Sequence, residues 1–171
     1  MPKAISKILL SFILPTSNRM AAVQDTEDIF SILHDGSISA WRGDNKLLIL
    51  TVQCRYLAER IDPSFDRFYV ELTGVETLSL STWPNPPDLP VQVFTALPDI
   101  FKANLEILSA DVENEKVVIT CNQSEQSFDY CGGTLTISCQ SINVFDQDKK
   151  ELTIDEFDLL CQGYWDNWSK T

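Results

Sequence analysis

The chain has 171 residues, and its 13 lysines and arginines against 25 aspartates and glutamates give a formal net charge of −12. This length fits one domain, and 44% hydrophobic with 22% charged residues is typical of a globular protein. The acidic balance argues against binding to nucleic acid or to an anionic membrane, because their phosphates need cations. It favours a basic protein as partner, although plain solubility explains the same charge.

The N-terminal residues carry a short apolar run, residues 8–14, which follows two lysines and ends at Pro15. The run is too short to span a bilayer, and no clean signal-peptide cleavage site follows it. Met20, followed by two alanines, is typical of a translation start. We therefore predict that residues 1–24 are disordered or an over-called extension ending before Met20, with a signal peptide as the alternative, and that residues 25–171 form one β-rich domain.

The five cysteines are odd in number and widely spaced, which does not indicate a disulfide framework. We predict that they are reduced and mostly buried, and that the protein is cytoplasmic. The cysteines are Cys54, Cys121, Cys131, Cys139 and Cys161.

The first half of the domain predicts a helix followed by strands. Residues 25–33 begin with capping and acidic residues, which favour a short helix. Residues 38–54 indicate a β-hairpin around the polar turn 42–45, in which Arg-Gly-Asp is turn chemistry. Apolar and polar residues alternate over 68–73 and again up to Trp83, as in half-buried strands. The proline-rich segment 83–90 predicts a loop that crosses between two halves of the domain.

The second half repeats the first. Residues 38–49 align without gaps on residues 108–119, and the Ser-Phe-Asp at 64–66 recurs at 127–129 before another alternating strand. Each three-strand unit has one apolar face, so two units facing each other bury both. We predict a mainly β domain (α+β by count), an antiparallel β-sandwich or flattened barrel built from two duplicated units, with a C-terminal helix.

The C-terminal residues predict a helix that begins with a capping box at Thr153. Its apolar stripe includes three large aromatic residues, which are favoured at binding surfaces and are equally typical of a helix face turned to the core. With two neighbouring acids they make an acidic, aromatic patch suited to a basic partner. These residues are Tyr164, Trp165, Trp168, Asp158 and Asp166.

Other candidate sites carry weaker signals. His34 is the sole histidine, and with Asp35 it forms a candidate polar site, although a histidine at a helix end often satisfies terminal carbonyls. The acidic run from Asp146 resembles an EF-hand loop, but Lys150 and Phe157 occupy ligand positions. We predict no catalytic residue, no metal site and no cofactor.

Residues 33–38, Leu-His-Asp-Gly-Ser-Ile, precede a hairpin and an alternating strand. In this respect residues 30–80 resemble small bacterial β-rich proteins, many uncharacterised and some described as immunity proteins to secreted toxins. The resemblance implies a small protein that works by binding, and it transfers no catalytic residue. We predict a non-enzymatic binding protein that masks a basic protein surface; the alternatives are a β-barrel that binds a small ligand and a hydrolase with a carboxylate site.

Overall fold

The computed structural model describes residues 16–169, which form four helices and ten strands. The predicted mainly β fold is confirmed, with 41% strand and 25% helix. The helices are α1 (Thr16–Ile32), α2 (Arg55–Ala58), α3 (Leu97–Ile100) and α4 (Ile154–Trp168). The strands are β1 (Ser37–Gly43), β2 (Leu47–Gln53), β3 (Arg67–Thr73), β4 (Thr77–Pro84), β5 (Val93–Phe94), β6 (Leu105–Glu113), β7 (Lys116–Asn122), β8 (Tyr130–Ser138), β9 (Ser141–Phe145) and β10 (Glu151–Leu152).

All ten strands belong to one antiparallel sheet in the order β10-β9-β3-β2-β1-β6-β7-β8-β4-β5, and within residues 16–169 the sheet does not close. Strands β3 and β4 lie six positions apart, which is about 29 Å in a flat sheet. The chain from Thr73 to Thr77 reaches at most about 15 Å. The sheet must therefore fold back, so that its two five-stranded halves face each other as in a sandwich.

The two halves follow one pairing pattern. Replacing each strand by the one five places away in the chain reverses the sheet order and leaves it otherwise unchanged. The predicted duplication is thus present in the topology, and it covers five strands rather than three. The ungapped alignment is wrong by one residue. It places the buried Leu48 against the half-buried Val118, whereas the pairing matches Leu48 with the buried Val117. The cause is the turn between β1 and β2, which is longer than that between β6 and β7.

The two halves exchange strands through two short links that touch each other. The link after β3 leads into β4, which pairs with β8, while the link after β8 leads into β9, which pairs with β3. At the crossing the Gln140 amide donates to the Thr73 carbonyl (2.9 Å), and the Glu76 amide donates to the Ser138 carbonyl (2.9 Å). Gly74 has a φ of 60°, and a side chain there would collide with Gln140.

One cluster of buried side chains fills the space between the halves, and α1 contributes Ile29, Phe30 and Leu33 to it. The predicted helix start at Asp25 is wrong, because α1 begins at Thr16 and residues 16–24 are helical. Ala22 is already buried, so packing rather than a cap holds this first part of the helix. Residues 1–15, the rest of the predicted extension, lie outside the described residues.

The prediction that residues 83–90 cross between the halves is also wrong. Strand β4 continues through Pro84, and the chain then returns as β5 along the same strand. The register of β4 against β8 shifts between Trp83 and Pro84, so the proline lies at an irregularity where a ladder bond is dispensable. The crossing between the halves runs instead through α3 to the start of β6.

Candidate functional site

Helix α4 is held to the rest of the domain mainly through its first half. The predicted capping box is confirmed: the Glu156 amide donates to Thr153 Oγ1 (3.2 Å), and the Thr153 amide donates to Glu156 Oε2 (2.9 Å). Phe157 is fully buried and meets Phe68 edge to face at 5.1 Å. Further along, α4 lies against α1 and α2 and presents large side chains at the surface.

Five rings form a continuous chain at the far end of α4, which we call the aromatic cluster: His34, Tyr56, Tyr164, Trp165 and Trp168. The His34 and Trp165 rings stack within 10° of parallel at 5.8 Å between centroids. Tyr164 contacts Tyr56 at 4.7 Å and Trp165 at 5.2 Å, and Trp168 meets Trp165 edge to face at 6.2 Å. The structure therefore joins two predicted sites that are 131 residues apart in sequence.

Hydrogen bonds fix the His34 ring in place. Its Nδ1 lies 2.9 Å from the Ser31 carbonyl oxygen, which can only accept, so Nδ1 carries the proton and donates. The Tyr56 hydroxyl donates to the His34 carbonyl at 2.8 Å. His34 Nε2 faces the exposed Asp35 carboxylate at 3.9 Å. This geometry matches the interpretation that His34 satisfies a helix-terminal carbonyl, and it makes the ring a rigid support for Trp165.

The three aromatic residues of α4 divide between core and surface. Tyr164 is half-buried, whereas Trp165 is 43% exposed and Trp168 is 68% exposed. Both predicted acids, Asp158 and Asp166, are exposed. Asp158 precedes Trp165 by two helical turns and so shares its face. The predicted residues thus form a contiguous acidic, aromatic surface on the second half of α4.

A groove of about 670 Å³ adjoins this surface between α2 and α4, and it is lined by Tyr56, Glu59, Arg60, Pro63, Tyr164, Asn167 and Trp168. The Arg60 guanidinium crosses Gly163, 3.3 Å from where a β-carbon would lie. It donates to the Asn167 side-chain oxygen at 3.2 and 3.3 Å in the amide orientation that satisfies both groups. Glu59 pairs with Arg55 at 3.5 Å. The charges of the groove therefore hold α2 against α4.

Sequence reasoning missed Tyr56 and Arg60, because α2 has only four residues and shows no helical period. The Tyr56 side chain is partly enclosed, and burial, followed by the neighbouring Cys54, raises the pKa of its phenol. Tyr56 therefore stays protonated at neutral pH and keeps donating to His34. Its single signal in the sequence is an aromatic residue directly after a predicted strand.

The acidic run after β9 forms a turn. Asp146 is buried, and its Oδ1 accepts from the amides of Asp148 and Lys150, each at 2.9 Å. This confirms the interpretation of a turn that leads into the capped helix. Among residues 16–169 no group of three or more histidine, cysteine or acidic side chains is arranged to hold a metal ion. All five cysteines are free thiols, and Cys131 is exposed, contrary to the general expectation of burial.

No helix in the described part of the chain is long and apolar enough to cross a membrane. No family model matches the chain, and searches of the curated proteins and of the solved structures found no match either.

Proposed function

We propose that this protein is a non-enzymatic binding protein that masks a basic surface of another protein with the second half of α4. This is the mode of action of the immunity proteins that the His34 segment resembles. The proposal depends above all on one observation: Trp165 and Trp168 are exposed beside Asp158 and Asp166.

Exposed indole rings at this place favour a contact surface. A tryptophan has about 150–250 Å² to bury, and tryptophan is enriched among the residues that dominate binding energy. His34 stacks on Trp165 and Tyr164 meets its edge, so the ring is already held before any partner arrives. A preorganised anchor loses little side-chain entropy on association.

The charge of the protein favours a basic partner. Asp158 and Asp166 flank the indole rings, and the whole chain carries −12. Opposite charges accelerate the encounter of two proteins and discriminate against acidic partners. We therefore expect association to slow as salt concentration rises, while the apolar contact sets the lifetime of the complex.

Affinity capture with matched variants tests the proposal. The wild-type protein, Trp165→Ala/Trp168→Ala and the control Met20→Ala, which removes a 70% exposed side chain on α1, are used as bait in lysate from the source cells. We expect a partner of high isoelectric point, identified by mass spectrometry, with wild type and Met20→Ala but not with the double tryptophan variant. A partner retained by all three baits, or one of acidic character, contradicts the proposal.

The charges are tested on the purified pair. We expect Asp158→Asn/Asp166→Asn to lower the association rate about tenfold at low salt and to flatten its salt dependence. The control Asp111→Asn/Glu113→Gln removes two exposed acids from β6 and is expected to leave both nearly unchanged. Association that is equally salt-independent in all three proteins refutes electrostatic steering by α4.

The alternatives predicted from the sequence make other demands. A small-ligand binder needs a cavity between the halves of the sheet, where one cluster of buried side chains lies. A hydrolase needs carboxylates that converge on a substrate. Both stay predictions, and a hydrolase screen with His34→Ala and Asp35→Asn addresses the second.

A further inference from the structure

A second site for a cation lies on the other half of the molecule, away from α4. The Lys102 ammonium lies over three aromatic rings, 4.1 Å from the centroid of Phe94, 5.3 Å from that of Phe128 and 5.5 Å from that of Tyr130. We call these three rings the cation cage. A cation within about 6 Å of a ring centroid is attracted by the negative face of the ring.

The walls of the cage are fixed, whereas the lysine is exposed. Phe94 belongs to β5, Tyr130 begins β8, and Phe128 lies in the connection before it. The Phe94 and Tyr130 rings are 6.1 Å apart, and those of Phe128 and Tyr130 are 5.6 Å apart. Lys102 follows α3, its side chain is exposed, and it takes part in none of the ion pairs among the described residues. The lysine can therefore leave for water without breaking a salt bridge.

The surroundings of the cage favour a positive charge and leave room beside it. Burial raises the pKa of the Tyr130 phenol, and the negative charges of Asp129 and Glu125 raise it further, so both carboxylates act on this site. The Tyr130 hydroxyl is buried without a hydrogen-bond partner among the described residues. A polar groove of about 270 Å³ continues from the cage, sharing Phe128 and Tyr130 and including Glu125.

We infer that the cage is a binding site for the ammonium group of a basic side chain on the partner protein, and that Lys102 occupies it as an internal placeholder. The inference deepens the proposed function, on which it rests for the nature of the partner. The incoming ammonium replaces that of Lys102 over the same rings, so the exchange leaves the cage itself satisfied. The gain comes from the contacts of the rest of the side chain in the adjoining groove and from the two carboxylates.

The site is tested with n-butylammonium chloride, which reproduces the lysine side chain, at constant ionic strength. Binding is followed by NMR through the ring signals of Phe128 and Tyr130. A placeholder that fills the cage nine-tenths of the time lowers the apparent affinity about tenfold, so Lys102→Met is expected to bind the probe about tenfold more tightly than wild type. Phe128→Leu in the Lys102→Met background is expected to remove most of this gain.

Two controls make the test specific. Lys149→Met removes another lysine that lies over a ring, that of Tyr69 at 2.8 Å, with the same change in charge, and it is expected to behave as wild type. The neutral probe 1-pentanol is expected to bind Lys102→Met far more weakly than n-butylammonium.

The inference is overturned if Lys102→Met shows no saturable shifts at Phe128 and Tyr130, if 1-pentanol binds it equally well, or if Lys149→Met gives the same gain. Thermal unfolding of each variant verifies that it is folded. These outcomes do not depend on Trp165 or Trp168, so failure of the cage is distinguishable from failure of the α4 surface.

Discussion

The stacked pair of His34 and Trp165 joins the end of α1 to the surface of α4, and its energy can be isolated by mutation. Aromatic pairs contribute about 0.5–1.5 kcal/mol beyond the area that they bury. His34→Ala also removes the bond from Nδ1 to the Ser31 carbonyl, worth about 1 kcal/mol net. We therefore expect His34→Ala to lower the free energy of unfolding by about 1.5–2.5 kcal/mol, of which about 0.5–1.5 kcal/mol is coupling with Trp165.

A double-mutant cycle measures that coupling. Urea unfolding of wild type, His34→Ala, Trp165→Ala and the double variant is followed by circular dichroism at one pH. The matched control combines His34→Ala with Trp83→Ala, which lies on β4 in the other half of the sheet and is expected to add independently. If the effects of His34→Ala and Trp165→Ala add to within about 0.3 kcal/mol, the rings do not stabilise each other and α4 is held by other contacts.

Three further outcomes are expected. Thr153→Ala removes the capping box of α4 and lowers the free energy of unfolding by about 1 kcal/mol in urea; unchanged stability contradicts this. Burial raises the pKa of Asp25, so the folded state binds its proton more tightly and the charged form opposes folding. Asp25→Asn therefore raises the melting temperature at neutral pH, and a gain that persists once the wild-type carboxyl is protonated in both states refutes the reasoning. Burial raises the pKa of Cys121 to about 12 and that of Cys54 to about 11, so Ellman's reagent is expected to modify the exposed Cys131 first. Rapid modification of Cys121 in the folded protein contradicts this order.

Local signals in the sequence predict local structure well here. The alternation in β8 places Leu135 and Ile137 in the core and leaves Thr134 and Thr136 half-buried, as expected for a strand with one apolar face. The capping box fixes the start of α4, because a side chain and an amide three residues away bond each other. Such features depend on neighbours in the chain, and the amino-acid pattern is sufficient for them.

Other features depend on distant partners. Residues 16–24 carry no apolar stripe that favours a helix, and they are helical because Ala22 packs against the domain. The exchange of β4 and β9 between the halves reflects pairings that no local pattern encodes.

The candidate site has the same limit. The types of its residues are visible in the sequence, but the contact of His34 with Trp165 and the support from Tyr56 arise only when α1, α2 and α4 meet.

The two short links that carry the chain past each other near Gly74 and Gln140 have a consequence for the chain as a whole. Each half lends two of its strands to the other, so a polypeptide cut within α3 yields fragments that both lack their inner neighbours. Neither fragment can form its half alone, and we expect the two to regain structure only when mixed. In the intact protein, amide protons in β4 and β9 are expected to exchange only through global unfolding, as one cooperative unit.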